Sequence, residues 1–331
     1  MARETETGEL EMERAAIAGT SLEVSRVALG TWAIGGWMWG GTEEAESIAT
    51  IRAAVERGVN LIDTAPVYGF GRSEEIVGMA LAQGGRRKQV LIATKTGFDW
   101  KDNKPFRNAS RSRIVKEIEH SLRRLKADVI DIYQVHWPDP ETPIEETAEA
   151  MATLHRDGKI RMNAFRAIAP LHTAQPPYNL FERGIESSVL PYCRGANLTT
   201  ITYGALCRGL LAGRISANTR FSGDDLRRGD PKFQSPRLLE YIAAVETLDR
   251  FAQANYGKRV IHLALRWLLD RPGVGVALWG ARHPDQLRPL ADVMGWRIDA
   301  DAMVEIDRIL ETSIADSIGP EFMAPPVRDA A

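Results

Sequence analysis

The amino-acid sequence predicts an α/β protein of the (β/α)8 TIM-barrel class, preceded by a small N-terminal β-hairpin. Three observations carry that prediction. Short apolar runs and amphipathic helical stretches alternate along the 331 residues, at the spacing of roughly 30 residues that a βα unit requires. Eight strand positions can be placed in the alternation. The first strand leads into a glycine-rich loop holding Trp32, Trp37 and Trp39, not into the Gly-x-Gly-x-x-Gly turn and helix of an open dinucleotide-binding sheet.

Residues 14–17 and 22–24 flank Ala18-Gly19-Thr20-Ser21 and predict the hairpin. Val27-Ala28-Leu29-Gly30 is the first barrel strand. Thr42 opens a helix with Glu43, Glu44 and Glu46 in its first turn, where carboxylates complement the helix dipole. Ile48, Ile51 and Val55 share its apolar face, and Gly58 stops it. The second strand, starting at Val59, ends at Asp63, and Tyr68 follows in the next turn. Ser73 caps a helix through Leu81. Residues 90–94 form the third strand, ending at Lys95 before a polar loop. Ser110 begins a helix with Ile114, Ile118, Leu122 and Leu125 in one stripe.

Residues 129–135 are the fourth strand, ending at His136-Trp137. Thr142-Pro143-Ile144-Glu145 has the cap, proline and glutamate of a helix start. Gly158 ends that helix, and Lys159-Ile160-Arg161 begins the fifth strand. Strands at 171–175, 198–203 and 274–278 complete the set. Helices fall near 185–193, after Ser235-Pro236, at 260–269, from Pro284 and at 301–310. A long polar loop covers 214–234.

Composition narrows the possible partners. An apolar content of 44% supports a sizeable core. Lys plus Arg (42) nearly balances Asp plus Glu (44), so no strong field favours nucleic acid or an acidic membrane. No apolar run reaches the roughly 18 residues of a membrane span. The acidic first residues lack the apolar core of a secretory signal. Residues 1–11 are expected to be a disordered lead to one barrel domain over 12–331. Cys193 and Cys207 are too few for a disulfide framework or a metal cluster. They point to a reducing cytoplasm and no metal site.

In such a barrel the chemistry gathers at the C-terminal ends of the strands. Taken singly, Asp63 could cap a turn, Lys95 could be a snorkelling surface lysine, and His136 could be a satisfied core histidine. Three consecutive strands ending in ionisable residues are harder to assign to packing. A phenol with a pKa of about 10 is a poor donor near neutrality, and a nearby ammonium is expected to lower it. Asp63 would hold Lys95 charged, Tyr68 would donate the proton, and His136 would orient a substrate oxygen. That set suits carbonyl reduction. Nothing in it supplies hydride, which implies a nicotinamide cofactor.

At N-L-I-D-T-A-P-V-Y-G, A-T-K and Y-Q-V-H-W the chain resembles the aldo-keto reductases, closest to the bacterial branch of NADPH-dependent glyceraldehyde and sugar-alcohol reductases. The resemblance runs from Leu29-Gly30-Thr31-Trp32 to Gly280–Leu287. It implies a catalytic tetrad of Asp63, Tyr68, Lys95 and His136, and NADPH as cofactor. Tyr203 is then expected against the nicotinamide, with Gln175 on its carboxamide and Thr31 and Trp32 nearby. Gly204, Ala205, Leu206 and Arg208 would run beneath the pyrophosphate. Gly280, Ala281, Arg282 and Gln286 would hold the adenosine end, with Arg282 suited to a 2′-phosphate. Trp32, Trp37, Trp100 and Trp137 are expected to line the mouth for a small-molecule carbonyl substrate, in a monomer or homo-oligomer.

One departure stands out. After Gly158-Lys159-Ile160-Arg161 the family continues its fifth strand into a Gly-x-Ser-Asn-type segment, whereas this chain runs into M-N-A-F-R-A-I-A-P. The fifth strand is therefore expected to be shortened or missing. A second reading follows from it: an NADPH-binding, catalytically impaired barrel serving as a sensor or partner subunit.

Overall fold

The computed structural model describes residues 11–163 and 171–327. The acidic lead, apart from Glu11, and the segment at 164–170 lie outside the described residues. Strands β1 (Arg14–Ala16) and β2 (Glu23–Ser25) pair antiparallel as the expected hairpin. The barrel strands follow as β3 (Val27–Gly30), β4 (Leu61–Asp63) and β5 (Leu91–Lys101), the last folding back through β6 (Lys104–Asn108). Then come β7 (Ile130–Val135), β8 (Ile160–Asn163), β9 (Thr173–Ala174), β10 (Thr199–Thr202) and β11 (Val276–Gly280).

In space these strands run β8-β7-β5-β4-β3-β11-β10-β9. Chain neighbours are therefore sheet neighbours, and β11 pairs in parallel with β3. That is the strand order of a curled (β/α)8 sheet. Among the described residues the fifth barrel strand, β8, runs over Ile160–Asn163 and pairs with β7 as far as Asn163 opposite Tyr133, where the described stretch ends. Among the described residues, β8 and β9 are the two ends of the path and do not pair with each other.

Side chains alternate across this sheet, and the two faces build two cores. Ala28, Leu61, Ala93, Ile132, Ile201 and Val276 point inward, and Ile17 and Val24 of the hairpin pack beneath them as a plug. The hairpin is tied to the strand beginnings, with Ser25 N donating to Asn60 Oδ1 at 2.6 Å and Ala18 N to Thr199 Oγ1 at 2.8 Å. On the outer face Leu29, Ile62, Ile92 and Tyr133 meet Ile51, Ile76, Ile114 and Leu263 of the surrounding helices. Each fully buried aliphatic side chain there contributes about 1.5–3 kcal/mol.

Those helices are α1 (Glu44–Glu56), α2 (Arg72–Leu81), α3 (Arg111–Leu125), α4 (Ile144–Arg156), α5 (Val189–Gly195), α6 (Arg237–Tyr256), α7 (Val260–Asp270) and α8 (Ala300–Ser313). Ser110 caps α3 as expected, accepting from Arg113 N. Three helix starts differ. Ser73 lies inside α2, and its buried hydroxyl bonds Thr31 O and Thr31 Oγ1, fastening α2 to the end of β3. Helix α4 starts one residue late because the Thr142 hydroxyl donates to Asp139 at 2.7 Å. Thr42 likewise pairs with Ser47, and Glu43 precedes α1.

The polar stretch after Lys95 is not a loop. It is the β5–β6 hairpin, turned by Asp102 and Asn103 in left-handed conformation. Among the described residues, no helix is long and apolar enough to cross a membrane.

Candidate active site

The ends of β3, β4, β5 and β7 are set by register. Gly30 lies opposite Asp63, Asp63 opposite Ala93, and Lys95 opposite Gln134. Lys95 is two residues beyond Ala93, so the strand period turns both side chains inward. Lys95 Nζ meets Asp63 Oδ1 at 2.7 Å, Thr64 O at 3.0 Å and the Tyr68 hydroxyl at 3.3 Å. An ammonium carries three hydrogens, and here each has an acceptor. Asp63 and Lys95 are 2% and 1% exposed, so their pairing meets the cost that either charge alone would impose. The Asp63 carbonyl accepts from both the amide and the hydroxyl of Thr31.

Tyr68 sits in the turn after β4. Its ring stacks on Trp32 at 6.0 Å and meets the edge of His136 at 5.6 Å. His136 N donates to Thr96 O at 2.8 Å, and its ring also lies against Phe98 at 4.8 Å. The three strand-end residues Asp63, Lys95 and His136 are thus brought together with Tyr68 within one small space.

Their electrostatics correct one expectation. Burial pushes the Tyr68 phenol well above its ordinary pKa, and the Asp63 charge adds to that shift. The net shift is upward although the Lys95 ammonium lies 3.3 Å from the hydroxyl, because burial outweighs it. Burial lowers Lys95 itself, opposed by Asp63. Burial and then Lys95 hold His136 well below the ordinary imidazole value. Near neutrality the site therefore presents a protonated phenol and a neutral imidazole.

A cavity of about 1360 Å³ opens above these groups, larger than the ~300–1,000 Å³ of a drug-sized pocket. Thr31, Trp32, Gln175, Tyr203, Gly204, Ala205, Leu206, Arg208, Gly280, Ala281, Arg282 and Gln286 all line it, as do Trp37 and Trp137. Trp100 does not. Its ring is drawn against Phe70 at 5.7 Å and beneath the Arg113 guanidinium at 5.0 Å.

Several of these side chains are already engaged. Arg208 gives its fork to Asp230 and Glu182, and Lys232 Nζ reaches Glu182 at 2.9 Å, so its charge is spent on a buried cluster under the cavity floor. Gln286 Oε1 accepts from Arg282 N at 2.7 Å and caps the turn that follows β11. Arg282 Nη1 donates to Trp39 O at 2.8 Å. Among the described residues it has no carboxylate within ion-pair distance. The neighbouring Arg227 takes Asp225 with two nitrogens, and its charge repels that of Arg282.

The 214–234 loop, expected from the sequence to close over the cofactor, lines the cavity. Three features escape a reading of the sequence. The loop's latch is Asp224, whose carboxylate accepts from Met38 N at 2.8 Å and Gly40 N at 3.0 Å. A C-terminal strap supplies Phe322, Met323 and Pro325 to the wall, fixed by Arg107 N donating to Pro326 O at 3.2 Å. Gln134, inside a strand, also faces the site. In the strand Ile-Asp-Ile-Tyr-Gln-Val it is not the one polar residue, since Asp131 also interrupts the run, and the sequence gives no sign of which of them faces the site.

Comparison with known proteins identifies the family. The profile of the Aldo/keto reductase family matches residues 26–311, and the chain belongs to that family. It is 58% identical to aldo-keto reductase YhdN of Bacillus subtilis (strain 168) over 329 residues, spanning 96% of this chain and 99% of the relative. It is 35% identical to the NADH-specific methylglyoxal reductase of Escherichia coli (strain K12), over 91% of this chain and all of the relative. Among solved structures, the glycerol dehydrogenase AKR11B4 from Gluconobacter oxydans superposes with a TM-score of 0.85 at 48% identity, covering 94% of this chain and 99% of that one.

Proposed function

We propose that this chain is an NADPH-dependent reductase of aldehydes and ketones, acting on small hydroxylated carbonyls or sugars, with Tyr68 as general acid. The observation that carries the proposal is the buried Asp63–Lys95–Tyr68 chain beside His136.

The residues present fit a phosphorylated dinucleotide. The cavity lining includes the tetrad, Tyr203 and Arg282. Arg282 and Arg227 bring two guanidiniums to its far end with one paired carboxylate, leaving a positive charge to be met by an anion. Tyr203 would face the nicotinamide, Gln175 its carboxamide, Gly204, Ala205 and Leu206 the pyrophosphate, and Gly280 to Arg282 with Gln286 the adenosine end. The Escherichia coli relative is named for NADH. The unpaired Arg282 is our reason for proposing NADPH here. The names of the methylglyoxal reductase and glycerol dehydrogenase relatives support small oxygenated substrates.

When bound, the reduced nicotinamide supplies hydride to the carbonyl carbon. The chain's own residues handle the oxygen. Neutral His136 donates a hydrogen bond that orients it. As negative charge develops there, Tyr68 transfers its proton, and the phenolate left behind lies beside Lys95 Nζ. Asp63 keeps that ammonium in place.

The test is Tyr68→Phe with NADPH oxidation followed over glyceraldehyde and nitrobenzaldehyde. Turnover should fall about 10²–10⁴-fold, the share of a positioned general acid, with NADPH affinity unchanged. Turnover at the wild-type rate would sink the mechanism. Tight NADPH binding by the wild type, with no oxidation over a broad carbonyl panel, would favour the binding-only reading.

A further inference from the structure

Asp63 has two carboxylate oxygens, and Lys95 occupies one. The other, Oδ2, receives Gln175 Nε2 at 2.8 Å from the exit of β9. A carboxylate can only accept, so the Gln175 amide must turn its NH2 towards Asp63. The second amide hydrogen goes to Gln134 Oε1 at 3.3 Å, and Gln134 Nε2 reaches Thr173 Oγ1 at 3.4 Å. Gln134 is 4% exposed and stands opposite Lys95 in the β5–β7 register. Here an amide chain joins β7 directly to β9.

We propose that Gln175, braced by Gln134, is a positioning residue that holds the Asp63 carboxylate against Lys95. The inference rests on the carbonyl-reductase reading above and adds a second role to a residue assigned there to the cofactor. With both amide hydrogens committed, the Gln175 carbonyl oxygen is left to accept from a carboxamide. One side chain then links the cofactor seat to the proton-donating set, and Gln134 fixes which way that side chain faces.

The charged and titratable groups around Asp63 are Lys95 and Tyr68, with Glu74 behind Lys95, His136 beside it and Tyr203 beyond Tyr68. Within that set the Gln175 N–H favours the ionised carboxylate. Its removal should therefore move the acid limb of kcat to higher pH.

The experiment compares full-length wild type with Gln175→Leu, Gln134→Leu and Gln175→Glu. It records kcat and KM against pH, and NADPH affinity by tryptophan fluorescence quenching. Gln175→Leu should raise the acid limb by about one pH unit, the size of one lost hydrogen bond to a charged group. Gln134→Leu should shift it the same way by less. Gln175→Glu should turn over at low pH, where the introduced carboxyl is protonated and donates, and fail as pH rises and a second negative charge faces Asp63.

Weaker NADPH binding with unmoved pH limbs would make Gln175 a cofactor contact alone and overturn the inference. Carbon-13 titration of the Asp63 carboxyl reads the same shift without turnover. A wild type that turns over no carbonyl defeats the reductase reading, whereas an Asp63 titration identical in wild type and Gln175→Leu defeats this one.

Discussion

Gly35 and Tyr68 are packed so closely that a Cβ built on Gly35 would stand 2.6 Å from the Tyr68 carbonyl carbon and 2.7 Å from its oxygen. Real Cβ atoms do not approach backbone at that distance. The turn after β3 therefore touches the turn after β4 through bare main chain. Gly69, at φ +65°, makes the reciprocal approach, with a Cβ position 2.1 Å from Gly35 O. This contact sets where the phenol rides between Trp32 and His136.

Gly35→Ala should push the Tyr68 turn outward and lengthen the 3.3 Å separation from Lys95. A shift of about 1 Å at the reacting group is enough for roughly 100-fold in turnover, while overpacking costs about 1–3 kcal/mol of stability. Steady-state NADPH oxidation beside a urea unfolding curve separates the two effects. An active, equally stable variant would show that the turn has room to give.

The pH dependence follows from two opposite shifts. His136 is held below its ordinary value of 6.5, so its neutral form persists as pH falls through 6.5. Tyr68 is held above its ordinary value of 10.0, so its protonated form persists as pH rises through 10. For carbonyl reduction, kcat/KM reports the free enzyme. It should stay level across the neutral range and show no limb at 6.5. A limb there that disappears in a His136→Asn variant would contradict a neutral His136.

Arg282→Leu should weaken NADPH about 10- to 100-fold, the worth of one or two hydrogen bonds to a charged group, and leave NADH nearly unaffected. Fluorescence quenching with both cofactors measures this directly. Equal losses for the two would assign Arg282 to holding the Trp39 carbonyl only.

Much of the barrel is legible in the sequence because its strands and helices are short, regular and differently periodic. Asp63, Lys95 and His136 stand out for the same reason: each is an ionisable residue where an apolar run stops. Tyr68 becomes legible through its spacing from Asp63. The β5–β6 hairpin is hidden because its residues are charged and its turn depends on Asp102 and Asn103 adopting positive φ. Trp100 is misjudged for a related reason, since the hairpin delivers it to Arg113 instead of to the cavity.

By itself the sequence determines the order of βα units and the chemical identity of the strand-end residues, both of which are local properties. The tertiary structure decides the rest, because it depends on contacts between distant segments. Only the folded barrel shows that the second oxygen of Asp63 is taken by Gln175, 112 residues away. The latch of Asp224 on the first loop and the strap at Phe322 and Pro325 have no periodicity to betray them. The protonation state of Tyr68 is decided there too, since burial outweighs the ammonium beside it.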